Sequence, residues 1–276
     1  MSGSEGSRYI HGTDPEEQRR LSLLNDLLNA ACLREIAVRP GEAILDVGAG
    51  LGQLTRALGR AAGRAVVGIE RSATQLAEAR RLAAAAGEAD LLELREGDVG
   101  TFPLAEREWG SFDLAHARFL LEHVPSPERV VEQMVRAVRP GGRIVLCDDD
   151  HDVFRLHPEP TPTMLAVFRA FLATYERNGN DPYIGRRLVA LLAAAGARPR
   201  RATWVFFGAC AGEESFAGFI ANLAWNFRGA REAIAATGLV RGEDVDRCVE
   251  EIVAFGRRPD AVIWYAAPWA EGVRPA

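Results

Sequence analysis

The sequence predicts an α/β fold built on a doubly wound, mostly parallel sheet, and two observations carry that expectation. From Ala43 to Asp149 short apolar strands alternate with helical segments, a pattern that calls for parallel strands covered by helices on both faces. The first strand also stops on Gly48, Gly50 and Gly52 before a helix opens, in "AILDVGAGLGQLT", where bare backbone lets a ligand come close.

Taken in order, a first helix starts at Asp14, with Pro15 at a favoured first helical position and Glu16 and Glu17 near the positive end of its dipole. Leu21, Leu24, Leu27, Leu28 and Ala31 then recur on one helical face until Pro40 and Gly41 close the segment. A strand over 43–47, the glycine turn and a helix to about Ala62 follow. "AVVGIE" (65–70) is the second strand, and Ser72 to Ala86 is a helix stopped by Gly87. "LLELREGD" (91–98), "SFDLAHA" (111–117), a helix over 127–138 and "RIVLCDD" (143–149) continue the alternation.

Beyond Asp150 the pattern loosens. "HDVFRLHPEPTP" reads as a proline-rich loop, helices are expected over 163–177 and 185–195, and a strand over 201–208. Two helical stretches separated near Gly238 fill 213–255 before a last strand, "AVIWYAA". That late helical block interrupts two strands able to pair as neighbours, as a lid would.

Composition narrows the function classes. Of 276 residues 48% are hydrophobic and 26% charged, as in ordinary globular proteins. The net charge of −5 argues against a polyanion-binding face, which needs clustered cations. The start lacks an export signal and no apolar run has membrane-spanning length. Cys32, Cys147, Cys210 and Cys248 are scattered without a C-x-x-C pair, which argues against a zinc site and fits a reducing cytoplasm.

The glycine loop is not a dinucleotide fingerprint, because Gln53 stands where G-x-G-x-x-G requires its third glycine. A G-x-x-x-x-G-K-[ST] phosphate loop is absent too. Three acids end successive strands instead: Asp46, Glu70 and Asp98. Such a crevice suits a ligand with a ribose, an amine-bearing base and a positive centre.

This arrangement resembles the class I S-adenosylmethionine-dependent methyltransferases of the small-molecule type. "ILDVGAGLG", "VVGIE", "EGDV", "FDLAHARFLLEHV" and "VRPGGRIVL" follow one another at familiar spacing over 41–150. The resemblance implies a Rossmann-like, seven-stranded sheet with helical lid insertions. It divides the chain into a helical strap over the cofactor (1–40), a cofactor-binding core (41–150) and a segment completing the sheet (151–276). Lids are expected at about 151–185 and 213–256.

By the same resemblance S-adenosylmethionine is the cofactor. Gly48, Gly50 and Gly52 would frame its methionine side, with Asp46 and Gln53 beside them. Glu70 would grip the ribose, Arg71 and Gln75 would edge it, and Asp98 with the Val99 backbone would meet the adenine. Ala117 and Arg118 would lie near the methionine moiety, and Tyr9, accompanied by His11 and Gln18, would shield it.

The implied activity is in-line methyl transfer to a small, lipophilic or aromatic metabolite. Glu122, His123 and His151 are the candidate catalytic residues, with Asp149 a possible partner orienting His151. Asp149 and His151 could also hold a hard cation, as in some catechol-type relatives, but no second acidic cluster follows at the later position and no metal is expected. Phe216, Phe219, Leu223 and Phe227 would form an apolar acceptor face, supplied with polar contacts by Asn222, Trp225, Asn226 and Arg228. Expected partners are the small-molecule methyl acceptor and at most a second copy of the chain, as a monomer or homodimer, with neither nucleic acid nor membrane. An RNA or protein methyltransferase is the competing enzyme reading, against which stands His116-Ala117-Arg118-Phe119 where aminopurine methylases resemble Asn-Pro-Pro-Tyr. A cofactor-binding regulator without turnover is the competing non-enzyme reading.

Overall fold

The computed structural model describes residues 15–276, with side chains from Asp26 onward. Tyr9 and His11, and the side chain of Gln18, lie outside the described residues. Strand and helix alternate as β1 (Ile44–Val47), α2 (Gln53–Ala62), β2 (Val66–Glu70), α3 (Ala73–Ala85), β3 (Leu92–Glu96), β4 (Phe112–Arg118), α4 (Pro127–Ala137) and β5 (Val138–Cys147), preceded by α1 (Pro15–Ile36). Then come β6 (Arg155–His157), α5 (Pro162–Arg177), α6 (Leu188–Ala194), β7 (Arg198–Cys210), α7 (Glu214–Gly229), α8 (Arg231–Ala236), α9 (Gly242–Phe255) and β8 (Val262–Val273).

Among the described residues one sheet holds eight strands. Its order runs β3-β2-β1-β4-β5-β8, with β1 to β5 mutually parallel and β8 antiparallel to β5. β7 and β6 both pair antiparallel with β8. Order reverses beside β1, so the carboxyl ends of β1 and β4 flank the crevice where sheets of this kind bind ligands.

The extra strand, β6, falls in the stretch expected to be a loop. Three residues are too few for alternation to show, yet Leu156 is buried between exposed Arg155 and His157, which is the two-residue period of a strand. β7 and β8 also outrun the expected 201–208 and 261–267, pairing from Arg198↔Val273 to Cys210↔Val262.

Apolar side chains cover both faces. Val130, Val131 and Met134 of α4 and Leu188, Leu191 and Leu192 of α6 pack on one side with Leu45, Ala115 and Ile144. Cys32 and Ile36 of α1 and Leu54 and Leu58 of α2 pack on the other with Ile44, Leu114 and Trp269. A separate core made by α5, α7 and α9 with Leu156 and Ile263 lies over the far end of the sheet. Arg143 fastens these layers: its guanidinium is 7% exposed, makes a two-pronged pair with Glu42 at 3.0 and 2.9 Å, reaches Glu271 at 3.2 Å and donates to the Ile36 carbonyl at 2.7 Å.

Candidate active site

The glycine loop is shaped by backbone that L side chains rarely adopt. Gly48, Gly50 and Gly52 have φ of 80°, 54° and 70°, the left-handed region that glycine alone enters cheaply. A Cβ on Gly48 would also stand 3.0 Å from Leu120 Cδ1. The loop is anchored where the Gly48 and Ala49 amides donate to the Ile69 carbonyl, each at 2.9 Å. Gly52 caps α2 without a side-chain acceptor on its first turn, leaving the positive end of that helix turned to the crevice.

Glu70, at the tip of β2, accepts from Gly50 N at 3.1 Å and from Ser72 N at 2.9 Å. Its carboxylate therefore joins the glycine loop to the start of α3. Gln75 sits above the loop, its Oε1 3.5 Å from where a Cβ on Gly50 would be. Arg71 is exposed at this rim, and its charge reaches His123 across the crevice.

Asp46 plays an internal part. It is 4% exposed; Oδ2 accepts from Thr55 Oγ1 at 2.6 Å and Oδ1 lies 2.9 Å from His116 Nδ1. Both oxygens are engaged beneath the loop, which makes Asp46 a positioning residue. Gln53 lines a polar cleft between α1 and α2 with Asp26, Asn29 and Arg56.

Past β3, Asp98 is exposed and its Oδ1 accepts from Gly100 N at 2.6 Å, while Val99 is buried. Sequence reasoning passed over Gln133 of α4, whose side-chain oxygen accepts from Phe102 N at 3.1 Å and whose amide reaches the Gly100 carbonyl. It braces the loop that presents Asp98 and Val99. An isolated glutamine on an amphipathic helix carries no signal of that task.

At the tip of β4, Ala117 is buried and Arg118 donates to Cys32 Sγ at 3.4 Å. Phe119 then takes φ of 50°, strained backbone for an aromatic residue and of a kind that gathers at functional sites. The chain reverses there into a short 3-10 turn, Leu121–His123. Asp148, wholly buried beyond the end of β5, holds that turn by accepting from Leu120 N at 3.0 Å, Leu121 N at 2.7 Å and Glu122 N at 3.4 Å, besides Asp149 N at 3.1 Å. Burial and the neighbouring Asp149 charge push the Asp148 carboxyl up, while the amides that it binds act the other way.

The turn delivers Glu122 into a polar cluster. Glu122 is 2% exposed; its Oε1 is 3.2 Å from His123 Nε2 and its Oε2 3.5 Å from His151 Nε2. Burial, then the charges of Asp149 and Asp148, raise its pKa well above the ordinary carboxylate range. Desolvation lowers that of His151, against the upward pull of Asp149, Asp150 and Asp152. Tyr175 of α5 stacks on His123 with ring centres 5.8 Å apart and meets His151 edge-on at 5.6 Å.

The expected Asp149–His151 couple is not a hydrogen bond: the atoms stand 3.9 Å apart. The Tyr265 hydroxyl of β8 donates to Asp149 Oδ1 instead. Neither tyrosine was legible as a site residue, since each is brought in by an element far along the chain.

His151 also borders an apolar cavity of about 280 Å³ between β6 and helices α5, α7 and α9. Met164, Leu165, Phe168, Leu223 and Phe227 line it. Of the expected acceptor face only Leu223 and Phe227 reach this space. Phe216 is buried in the lid core and Phe219 stacks on Phe207, and Asn222, Trp225, Asn226 and Arg228 are not among the lining residues. A helix packed on two sides spends much of its apolar face on core.

Residues 45–146 match the family model described as "Methyltransferase domain". Over that segment, about a third of the chain, the sequence is similar to methyltransferase domains. The chain is 34% identical over 168 residues to an uncharacterised 37.1 kDa protein in transposon TN4556 of Streptomyces fradiae, covering 59% of this chain and 46% of that one. The match thus spans about half the length of the curated relative. Among solved structures, the [4+2]-cyclase SpnF superposes with a TM-score of 0.55 at 18% identity, covering 91% of this chain and 82% of that one. The geranyl diphosphate C-methyltransferase of Streptomyces coelicolor A3(2), solved with Mg2+, geranyl diphosphate and S-adenosyl-L-homocysteine, gives 0.55 at 16% identity, covering 95% and 86%. At such identities the likeness is one of fold. Among the described residues no helix is long and apolar enough to cross a membrane.

Proposed function

We propose that this chain transfers the methyl group of S-adenosylmethionine to a small, lipophilic or aromatic acceptor by in-line displacement. The observation that carries the reading is the adjacency of two half-sites. A glycine loop tied to Glu70 stands on one side, and on the other a buried Glu122–His151 cluster opens into an apolar cavity. The halves touch at Leu120, two residues before Glu122, whose Cδ1 stands 3.0 Å from where a Cβ on Gly48 would be.

Glu70 would exchange its loop contacts for ribose hydroxyls, Gln75 and Arg71 would edge the nucleoside, and Asp98 with Val99 would meet the base. Ala117 and Arg118 would flank the methionine portion. Methyl transfer needs the acceptor atom aligned with the sulfur–carbon bond, and holding it there supplies much of the acceleration. Glu122, His123 and His151 form the polar end of the acceptor site, with His123 exposed enough to pass a proton to water. Acceptor bulk would lie along Phe168, Leu223 and Phe227.

The test is transfer of a labelled methyl group from S-adenosylmethionine to extracted small molecules, compared with RNA and protein fractions. Label in the small-molecule fraction is expected; label confined to RNA or protein would overturn the reading. A second reading, supported by the fold shared with a protein named for cyclisation, is a cofactor-binding site that carries out no methyl transfer. Cofactor binding with no label in any fraction would favour that.

A further inference from the structure

We propose that Glu122, Asp149 and His151 form a divalent-cation site at the inner end of the acceptor cavity. Each of the three residues brings one ligand atom to within 4.8 Å of the other two. Two of the separations are 3.5 Å, between His151 Nε2 and Glu122 Oε2, and 3.9 Å, between His151 Nε2 and Asp149 Oδ2. Ligands on one ion with bonds of about 2.0–2.2 Å stand roughly 3–3.6 Å apart, so small side-chain adjustments close this triangle on a metal.

Which atoms are free points the same way. Glu122 Oε2 and His151 Nε2 are buried without a hydrogen-bond partner, and a buried acceptor left unpaired costs roughly 1–3 kcal/mol. The other carboxylate oxygens have neighbours of their own: Glu122 Oε1 lies 3.2 Å from His123 Nε2, Tyr175 hydrogen-bonds the Glu122 carboxyl, and the Tyr265 hydroxyl donates to Asp149 Oδ1. That is the division seen at metal sites, where outer groups orient ligands whose inner atoms wait for the ion. Among the described residues no arginine pairs with Glu122, Asp148 or Asp149, so the acids have no fixed counter-charge within contact.

One nitrogen and two carboxylate oxygens suit Mn2+, Co2+ or Zn2+ better than a bare calcium site. The inference deepens the acceptor-site reading above. An ion here would favour an acceptor that offers it an oxygen, and would lower the pKa of a hydroxyl bound to it. His151 then serves as a ligand, leaving His123 as the nearer proton acceptor.

The experiment uses the full chain, stripped with chelator and dialysed against micromolar to sub-millimolar Mn2+, with metal counted by mass spectrometry. Cofactor and acceptor are omitted, so failure here leaves methyl transfer to be judged by its own label. One Mn2+ per chain is expected, and Co2+ should give the visible d–d bands of a nitrogen–oxygen site. Glu122→Gln and His151→Ala should each weaken uptake at least about tenfold, and Tyr265→Phe by about tenfold through the outer contact. S-adenosylhomocysteine binding and circular dichroism retained in each variant show that the fold is intact. No stoichiometric uptake of Mn2+, Co2+ or Zn2+, or uptake unchanged in Glu122→Gln and His151→Ala, would overturn the proposal. So would protection of the folded chain by a simple alkylamine with no ion taken up, which would mark the acids as an ammonium site.

Discussion

Replacing Asp148 by Asn tests whether one buried carboxylate holds the active-site turn. The side chain is fully buried and receives four backbone amides, two of them on Oδ2 at 2.7 and 3.0 Å. Asparagine keeps one carbonyl oxygen, so its amide nitrogen must face at least one N–H that it cannot accept. Each buried donor left unpaired costs about 1–3 kcal/mol, and the two short bonds also lose their charge assistance. The expected loss is about 2–4 kcal/mol, a large share of the roughly 5–15 kcal/mol that holds a typical domain together. Equilibrium urea unfolding followed by circular dichroism measures it, and hydrogen exchange at 120–123 should quicken beyond the global change. The turn carries Glu122, so turnover should fall while cofactor affinity is kept. A loss under about 0.5 kcal/mol, the range of ordinary surface substitutions, would refute the reasoning and show that the carboxyl sits there protonated, as a near-isostere of asparagine.

Three further outcomes are expected. Glu70→Ala should weaken S-adenosylhomocysteine binding about 10- to 100-fold by calorimetry, since a charged acceptor is worth about 1.5–3 kcal/mol; unchanged affinity would remove Glu70 from the cofactor site. Arg143→Met strands Glu42 and Glu271 inside the structure and should cost about 3–5 kcal/mol in urea unfolding, whereas adding Glu42→Gln should cost less than the sum of the two. The Arg95 hydrogen bond pulls the Glu108 pKa down from 4.5 to about 2. Its stabilisation is therefore complete above pH 4.5 and fades as pH falls towards 2; the advantage of the native chain over Glu108→Gln, about 0.5–1 kcal/mol after solvent screening, should vanish across that window.

The proposed cofactor half of the site was readable because its chemistry is local. Gly48, Gly50 and Gly52 announce positive φ, and Glu70 and Asp98 stand at strand ends that apolar runs reveal. The acceptor half was readable only as residue types. Glu122, His123 and His151 do meet, but their meeting depends on Asp148, whose partners are the amides of residues 26 to 28 positions earlier. Amides leave no mark in a sequence. Tyr265 reaches Asp149 Oδ1 because β8 returns through the middle of the sheet, between β5 and β7, and that return is long-range. Periodicity grouped Phe216 and Phe219 with Leu223 and Phe227, but it cannot say which part of a face meets core and which meets a cavity.

The hairpin of β7 and β8 is closed at its outer end by Cys210 opposite Val262 and by an Ala211 amide on the Ala261 carbonyl at 2.8 Å. Everything between them, α7 to α9, is a cassette hung from two stem ends already fastened to each other. Its replacement by a short turn, or by another set of helices, asks nothing new of the sheet's register. Evolution could thus refit this protein for a different guest by exchanging the canopy, with the glycine loop and its Glu70 anchor left as they stand.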